Sequence, residues 1–325
     1  MNRKNVTSLL VLLFAIIIVL PNSGWTDEFS VQSCHTGNYR SSIIVNGLER
    51  TYLLHIPLSF DKTKQMPLVI SLHGGGGSGA AMVALTLGGF NTLSEREGFI
   101  VVYPDGIEKH WNDGRELSRY RAQRENIDDI GFISALIDHL VKKYNIDKKR
   151  IYITGMSNGA MMSYRLACEL ADKVAAIAPV AGLIPKKLSL HCSPSRAISV
   201  LIINNVNDPM VPWKGGDFHF GNLCLGEGLS VSDSVSYWVT HNGCSSTPII
   251  THEQDKDSQD GTIVYKKLYG KGKNGTEVIL YTIEGGGHTW PSGHQYLRER
   301  IIGKTSRDIN ANEVIWDFFK RHSIK

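Results

Sequence analysis

Three short segments of this chain combine residue types that carry out acyl chemistry. Gly155-Met156-Ser157-Asn158-Gly159 lies between the apolar run RIYIT and the helix-compatible run AMMSYRLACEL. This is G-x-S-x-G in the strand-turn-helix setting that an exposed serine nucleophile requires. The turn is so tight that its flanks must lack bulky Cβ groups, hence a glycine on either side. A hydroxyl at its ordinary pKa is a poor nucleophile and needs an oriented base. Asp208 follows the run SVLII, and His288 follows VILYTI and three glycines, Gly285 to Gly287. Each stands beyond a strand end, where sites of open α/β sheets gather, and the order Ser, acid, His is one that serine hydrolysis uses. Alone, Asp208 reads as an Asp-Pro turn residue and His288 as a loop histidine; with Ser157 they read as nucleophile, acid and base.

Such a triad needs backbone N–H groups aimed at the charge that develops in the transition state. Asn158, directly after the nucleophile, is the expected first donor. The second is expected from Leu72-His73-Gly74-Gly75-Gly76-Gly77, an HGGG loop after LVIS, with Gly75 as the donor.

Two other chemistries compete for the same residues. Gly74, Gly76 and Gly79 fit G-x-G-x-x-G after a strand, and Asp105 could serve as a ribose-binding acid of a nicotinamide-dependent oxidoreductase. That reading leaves Ser157, Asp208 and His288 without a role. Asp217 and His219 in DFHF would share a strand face, but a zinc site needs a third protein ligand and none is indicated. The expectation is therefore no metal and no cofactor.

The elements that must position these residues are legible as short apolar runs. Tyr52 to Ile56, Leu68 to Leu72, Phe99 to Tyr103, Ile151 to Thr154, Val174 to Val180 and Ser199 to Ile203 read as strands buried on both faces, hence a parallel sheet. Helical spacing marks Asp128 to Tyr144, the run after Ser157, Ser230 to His241 and Asn310 to Arg321. Alternating strands and helices imply crossover units with helices on both sheet faces, as one domain. Glu108 to Glu125 reads as a long charged loop. Thr262 to Tyr269 and Val278 to Ile283 flank Asn274-Gly275, a hairpin or edge extension.

Composition agrees with this class. With 42 % hydrophobic and 20 % charged residues the chain is globular, and a formal charge of +4, evenly spread, argues against a nucleic-acid partner. Glycine numbers 32 in 325 residues, against roughly 23 at the usual frequency, and the surplus concentrates in the HGGG loop, the Ser157 turn and the run before His288. Arg3 and Lys4 precede the apolar run Leu9 to Leu20, the layout of a secretory signal over residues 1–26, with the catalytic domain over 27–325. The run is shorter than a membrane span, so no membrane association is expected after cleavage. Export permits disulfides, and among Cys34, Cys168, Cys192, Cys224 and Cys244 the expected pair is Cys168 with Cys192.

The motifs HGGGGSG, YPDG, WND, DDIGFISALID, GMSNGAMMSYRLACELAD, APVAG, DPMVPW and GGGHTWPSG resemble, from about Gly47 to Phe319, the secreted polyhydroxybutyrate depolymerase and feruloyl esterase-like group of α/β-hydrolases. The resemblance implies an α/β-hydrolase fold and hydrolysis of carboxylic esters by Ser157, Asp208 and His288, on a polymer, an oligomer or a polysaccharide-linked ester. It also implies that Trp111 and Trp290 line the substrate site. Two departures stand out: Asn204 and Asn205 where members often carry His-Gly, and Asp113-Gly114-Arg115-Glu116 where many have a cysteine pair. Both are expected to alter the rim of the site. A serine peptidase and a non-catalytic secreted binding module remain as alternatives on the same scaffold.

Overall fold

The apolar runs that read as doubly buried strands form the centre of one sheet. The computed structural model describes Thr26, Asp27 and residues 36–325; Cys34 and the expected export signal, Thr26 apart, lie outside them. The main sheet contains β1 (Thr26–Asp27), β2 (Gly37–Val45), β3 (Leu48–Ile56), β4 (Met66–Leu72), β5 (Ile100–Pro104), β6 (Ile146–Met156), β7 (Ala176–Val180) and β8 (Ser199–Asn205). A separate hairpin, β9 (Gly216–Phe220) and β10 (Leu223–Gly228), follows, and β11 (Ile249–His252), β12 (Ile263–Tyr269) and β13 (Val278–Glu284) return to the main sheet. Its order is β1-β2-β3-β5-β4-β6-β7-β8-β13-β12-β11. From β5 through β4, β6, β7 and β8 to β13 every neighbour is parallel; antiparallel β3 and β2 extend one edge, with the short β1 parallel to β2, and antiparallel β12 and β11 extend the other.

The helices are α1 (Gly79–Leu85), α2 (Gly89–Glu97), α3 (Arg121–Arg124), α4 (Asp129–Tyr144), α5 (Asn158–Glu169), α6 (Lys186–Ser189), α7 (Val231–Asn242), α8 (Glu299–Ile302) and α9 (Ala311–Phe319). Successive strand side chains point to opposite faces, so Leu68 and Ile70 of β4 join one core with Phe132, Leu166 and Trp238 from α4, α5 and α7. Val69 joins the other with Met82, Phe90 and Ile315 from α1, α2 and α9. Two cores, one on each sheet face, are what an all-apolar strand demands. Asp128 caps α4 by accepting from Gly131 N at 2.7 Å, and Ser230 and Asn310 cap α7 and α9 in the same way.

Several segments depart from the sequence reading. Strands β2, β9, β10 and β11 and helices α1 and α2 were not evident from periodicity, whereas the Asn274-Gly275 turn does join antiparallel β12 and β13. Glu108 to Glu125 is the long connection expected, with the short α3 in it, but Trp111, Asn112, Asp113, Arg115 and Gln123 within it are buried. The fold is that of the α/β-hydrolases, with a large, mostly parallel sheet covered by helices on both faces. No helix among the described residues is long and apolar enough to cross a membrane.

Cys168 at the end of α5 is bonded to Cys192, as expected; Cys224 and Cys244 are not disulfide-bonded among the described residues. The bridge closes a sequence separation of 24 residues, for which unfolded-chain entropy gives about 3 kcal/mol. The C168S/C192S double variant is expected to lose about 2–4 kcal/mol, measured as the drop in urea unfolding free energy at constant slope.

Candidate active site

The strand register brings the three expected catalytic loops to one edge of the sheet. Met156 pairs with Val180, Val180 with Ile203, and Ile203 with Tyr281, so β6 and β7 end level and β8 and β13 run on two and three residues further at the same edge. Ser157 follows the first of these strands, and Asp208 and His288 follow the last two.

Ser157 sits at φ 56° and ψ −116°, a strained conformation that a non-glycine residue holds only where its surroundings enforce it. The enforcement is a close approach of backbones. A Cβ on Gly159 would lie 2.4 Å from Leu72 O and 2.6 Å from His73 O, and one on Gly155 would lie 2.6 Å from Gly159 O. Both glycines are therefore required by contact, while the serine between them carries the strain.

Asp208 and His288 are both buried and meet directly, His288 Nδ1 to Asp208 Oδ2 at 2.7 Å. The other carboxylate oxygen accepts from Met210 N at 2.8 Å and Val211 N at 2.9 Å. Pro209 has no N–H to offer, so the turn presents the next two amides instead. A carboxylate can only accept, so Nδ1 carries the proton and Nε2 is left with a lone pair. The His288 loop is anchored by Tyr296 Oη, which donates to His288 O at 3.0 Å, and by Gly285 N, which donates to Asn207 Oδ1 at 3.0 Å. Burial and the nearby Asp208 charge push the Tyr296 phenol well above its ordinary range, so it stays a neutral donor. Ser157 Oγ makes no hydrogen bond with any described residue, so the structure pairs acid with base and leaves the serine hydroxyl free.

The HGGG loop lies against the start of α5. A Cβ placed on Gly74 would be 3.6 Å from Ser157 Cβ, and one on Gly75 would be 3.7 Å from Asn158 Cβ. Neither the Gly75 nor the Asn158 amide donates to a described residue, so both are available to a ligand. The Asn158 side chain is committed elsewhere: Oδ1 accepts from Trp111 N at 2.9 Å and Nδ2 donates to Asp113 Oδ2 at 2.5 Å. Asp113 in turn binds Arg115 Nε at 2.8 Å, and Arg115 Nη1 donates to Leu225 O at 2.5 Å on β10. A buried chain of polar groups thus runs from the residue after Ser157 to the hairpin that follows Asp208.

His73 holds the loop from below. Its Nδ1 donates to Gly74 O at 2.8 Å, and its Nε2 accepts from Gly106 N at 3.0 Å. Its own carbonyl takes Trp111 Nε1 at 2.9 Å, and the two rings lie 4.9 Å apart. Asp105 is a second clamp, accepting from Gly79 N and Thr51 Oγ1, each at 2.7 Å. Its carboxylate is used up within the chain, which removes the ribose-binding role. Sequence reasoning passed over His73 and the Asn158 side chain; the only available signal was the histidine that opens HGGG.

The two tryptophans are a correction. Trp111 and Trp290 are both 0 % exposed, so neither ring lines an open substrate site. Trp111 braces His73 and Asn158, and Trp290 donates from Nε1 to Asn312 Oδ1 at 3.2 Å and packs edge-on against Phe90. Aromatic bulk with one polar tip suits such bracing beneath a loop. Of the two sequence departures, Asn204 and Asn205 in the end of β8 and Asp113 and Arg115 under the loop are buried beneath the site, whereas Glu116 is exposed and pairs with Lys187 at 2.7 Å. Asp217 and His219 do share the outer face of β9, both exposed.

Against this geometry the comparisons with known proteins are decisive for class. The chain matches the family described as esterase PHB depolymerase over residues 50–211. It is 28 % identical to NocK of Nocardia uniformis subsp. tsuyamanensis, named as an esterase, across 85 % of this chain and 80 % of that protein. Identity to feruloyl esterase B of Piromyces equi is also 28 %, across 85 % of this chain but 46 % of that longer protein. Among solved structures, an acetyl xylan esterase from Aspergillus awamori superposes with a TM-score of 0.52 at 17 % identity, covering 77 % of this chain and 94 % of that one. The molecule is a carboxylic ester hydrolase of the α/β-hydrolase fold. It belongs to the polyhydroxybutyrate depolymerase and feruloyl esterase-like family.

Burial lowers the His73 pKa from 6.5 to about 4, only partly offset by the Gly74 carbonyl and the Asp105 charge. Protonation would also put a hydrogen on the nitrogen that now accepts from Gly106. The unfolded chain takes up this proton near pH 6.5 while the folded chain resists until about pH 4, so the stability due to His73 is full above pH 6.5 and is lost as the pH falls from 6.5 towards 4. The loss is about 3 kcal/mol at most. Urea unfolding at a series of pH values should show this slope in the wild type and a slope smaller by one proton in H73Q.

Proposed function

We propose that the chain is a secreted serine esterase that works through an acyl-enzyme, with Ser157 as nucleophile, His288 as base and Asp208 as the acid that orients it. The observation that carries this reading is the buried Asp208–His288 contact at 2.7 Å, at the same edge of the sheet as a serine in a strained elbow. On substrate binding Ser157 Oγ comes within hydrogen-bond reach of His288 Nε2, about 2.6–3.2 Å. The oxygen attacks the ester carbonyl as its proton passes to Nε2, and Asp208 stabilises the imidazolium that forms. The Gly75 and Asn158 amides receive the negative oxygen. The carbon–oxygen bond to the alcohol then breaks, and the alcohol leaves with the proton from Nε2. Water attacks the acyl-serine, gives its proton to Nε2, and releases the acid while Ser157 Oγ takes that proton back.

No step calls for a cofactor. Substrates are esters of the type acted on by the named relatives, feruloyl or acetyl groups on polysaccharide, or hydroxyalkanoate oligomers. The basic and apolar N-terminal segment supports export, and the Cys168–Cys192 bridge is of the kind that persists in oxidising compartments.

S157A is expected to reduce turnover of a p-nitrophenyl ester to background, a loss of about 10⁴-fold or more, with an unchanged circular dichroism spectrum. D208N should fall by about 10³–10⁴-fold because the amide favours the wrong imidazole tautomer. A fluorophosphonate probe should label the wild type and not S157A. Near wild-type hydrolysis by S157A would refute the assignment, and an unlabelled, inactive wild type would indicate a binding module.

A further inference from the structure

His110 lies against Gly75 of the same site and has no role in the mechanism above. It follows the turn Ile107–Lys109, in which two successive non-glycine residues, Glu108 and Lys109, hold φ of 47° and 65°. Left-handed backbone at two adjacent side-chain-bearing residues is strained, and such strain persists where neighbouring contacts enforce it. Here Lys109 O accepts from Gly76 N at 2.8 Å, tying the turn to the HGGG loop. The turn fixes the His110 ring in three ways. Nδ1 donates to Glu108 O at 2.9 Å. One face stacks on Tyr120, with centroids 3.9 Å apart and 18° between planes. The ring edge lies against Gly75, where a Cβ would be 3.3 Å from Cδ2 and 3.4 Å from Nε2.

The remaining nitrogen, Nε2, has no partner among the described residues, and the side chain is half-buried. Because Nδ1 carries the proton, Nε2 presents a bare lone pair. Burial holds the imidazole below its ordinary pKa, which keeps that lone pair available near neutral pH. A lone pair beside Gly75 repels both an ester carbonyl and an oxyanion, so it does not serve the reacting oxygen. It suits a donor that the substrate brings.

We propose that His110 is a specificity residue whose Nε2 accepts a hydrogen bond from a free hydroxyl carried by the substrate close to the scissile ester. The proposal rests on the reading of Ser157, Gly75 and Asn158 as the reacting site. The hydroxyl has two possible sources, the acyl chain of a hydroxyacyl ester or the sugar carbon next to an esterified one.

The test compares kcat/KM within two substrate pairs, each offering the hydroxyl free or O-methylated, since an ether oxygen cannot donate. Methyl 3-hydroxybutanoate against methyl 3-methoxybutanoate probes the acyl side. A xyloside acetate with a free neighbouring hydroxyl against its O-methyl form probes the alcohol side. The wild type should favour the free hydroxyl in one pair by about tenfold or more, and that pair identifies the source. H110F, which keeps a ring on Tyr120 but has no acceptor, should abolish the preference, and H110Q, whose carbonyl can accept, should restore part of it. A wild type with no preference in either pair overturns the proposal without any variant having to fold. So does an H110F variant that slows both members of the favoured pair equally. Ser157-dependent turnover without a hydroxyl preference defeats this inference alone, whereas absence of Ser157-dependent turnover defeats the underlying reading.

Discussion

The site depends on three backbones meeting at van der Waals distance where β4 ends and α5 begins. Gly155 and Gly159 leave room for Leu72 O and His73 O at separations that a methyl group would close to below 3 Å. Two consequences follow from this one contact. Ser157 is forced out of the turn at a positive φ, which lifts its hydroxyl above the sheet edge. The HGGG loop is also carried directly over the first turn of α5, so the Gly75 and Asn158 amides share one small space. A side chain on either glycine would separate strand from helix and dissolve both arrangements together.

Beneath that contact lies an unusual amount of buried polarity. Asp113, Arg115, Gln123 and Asn158 form one network, and Arg50 with Asp129, at 2.6 Å, forms another that also takes Asn112 N. Buried charge is tolerated when it is paired with an opposite charge, and removing one partner of such a pair costs about 3–5 kcal/mol. The networks hold a long connection that has little regular structure of its own. They also connect elements far apart in the chain, so that the helix after Ser157, the loop after β5 and the hairpin after Asp208 are set relative to one another by side chains and not by the sheet alone.

The legible parts of the sequence were those governed by local rules. The central strands read correctly because apolar runs bounded by glycine and proline leave few alternatives, and α4, α7 and α9 because their periodicity comes with Asp128, Ser230 and Asn310 as caps. Helix α1 is a seven-residue run of small and apolar residues, too short to show a helical period, α2 mixes glycine, threonine and charged residues in place of a clear apolar stripe, and β11 is exposed throughout. The resemblance puts Trp111 and Trp290 at the substrate site, but a shared motif does not say whether a ring faces out over a loop or in beneath it, and here both rings are buried.

The sequence by itself determined the class of chemistry, because G-x-S-x-G, the HGGG loop and the strand-end Asp208 and His288 are each fixed by short-range sterics and by the order of strands in a parallel sheet. Only the tertiary structure decided which polar groups are buried and whom they meet. His73 finds Gly106 across 33 residues, Asn158 finds Trp111 across 47, and Arg115 finds Leu225 across 110. Desolvation makes those pairings obligatory once the loops converge, but the convergence is a property of the closed sheet edge, and no local window of sequence contains it.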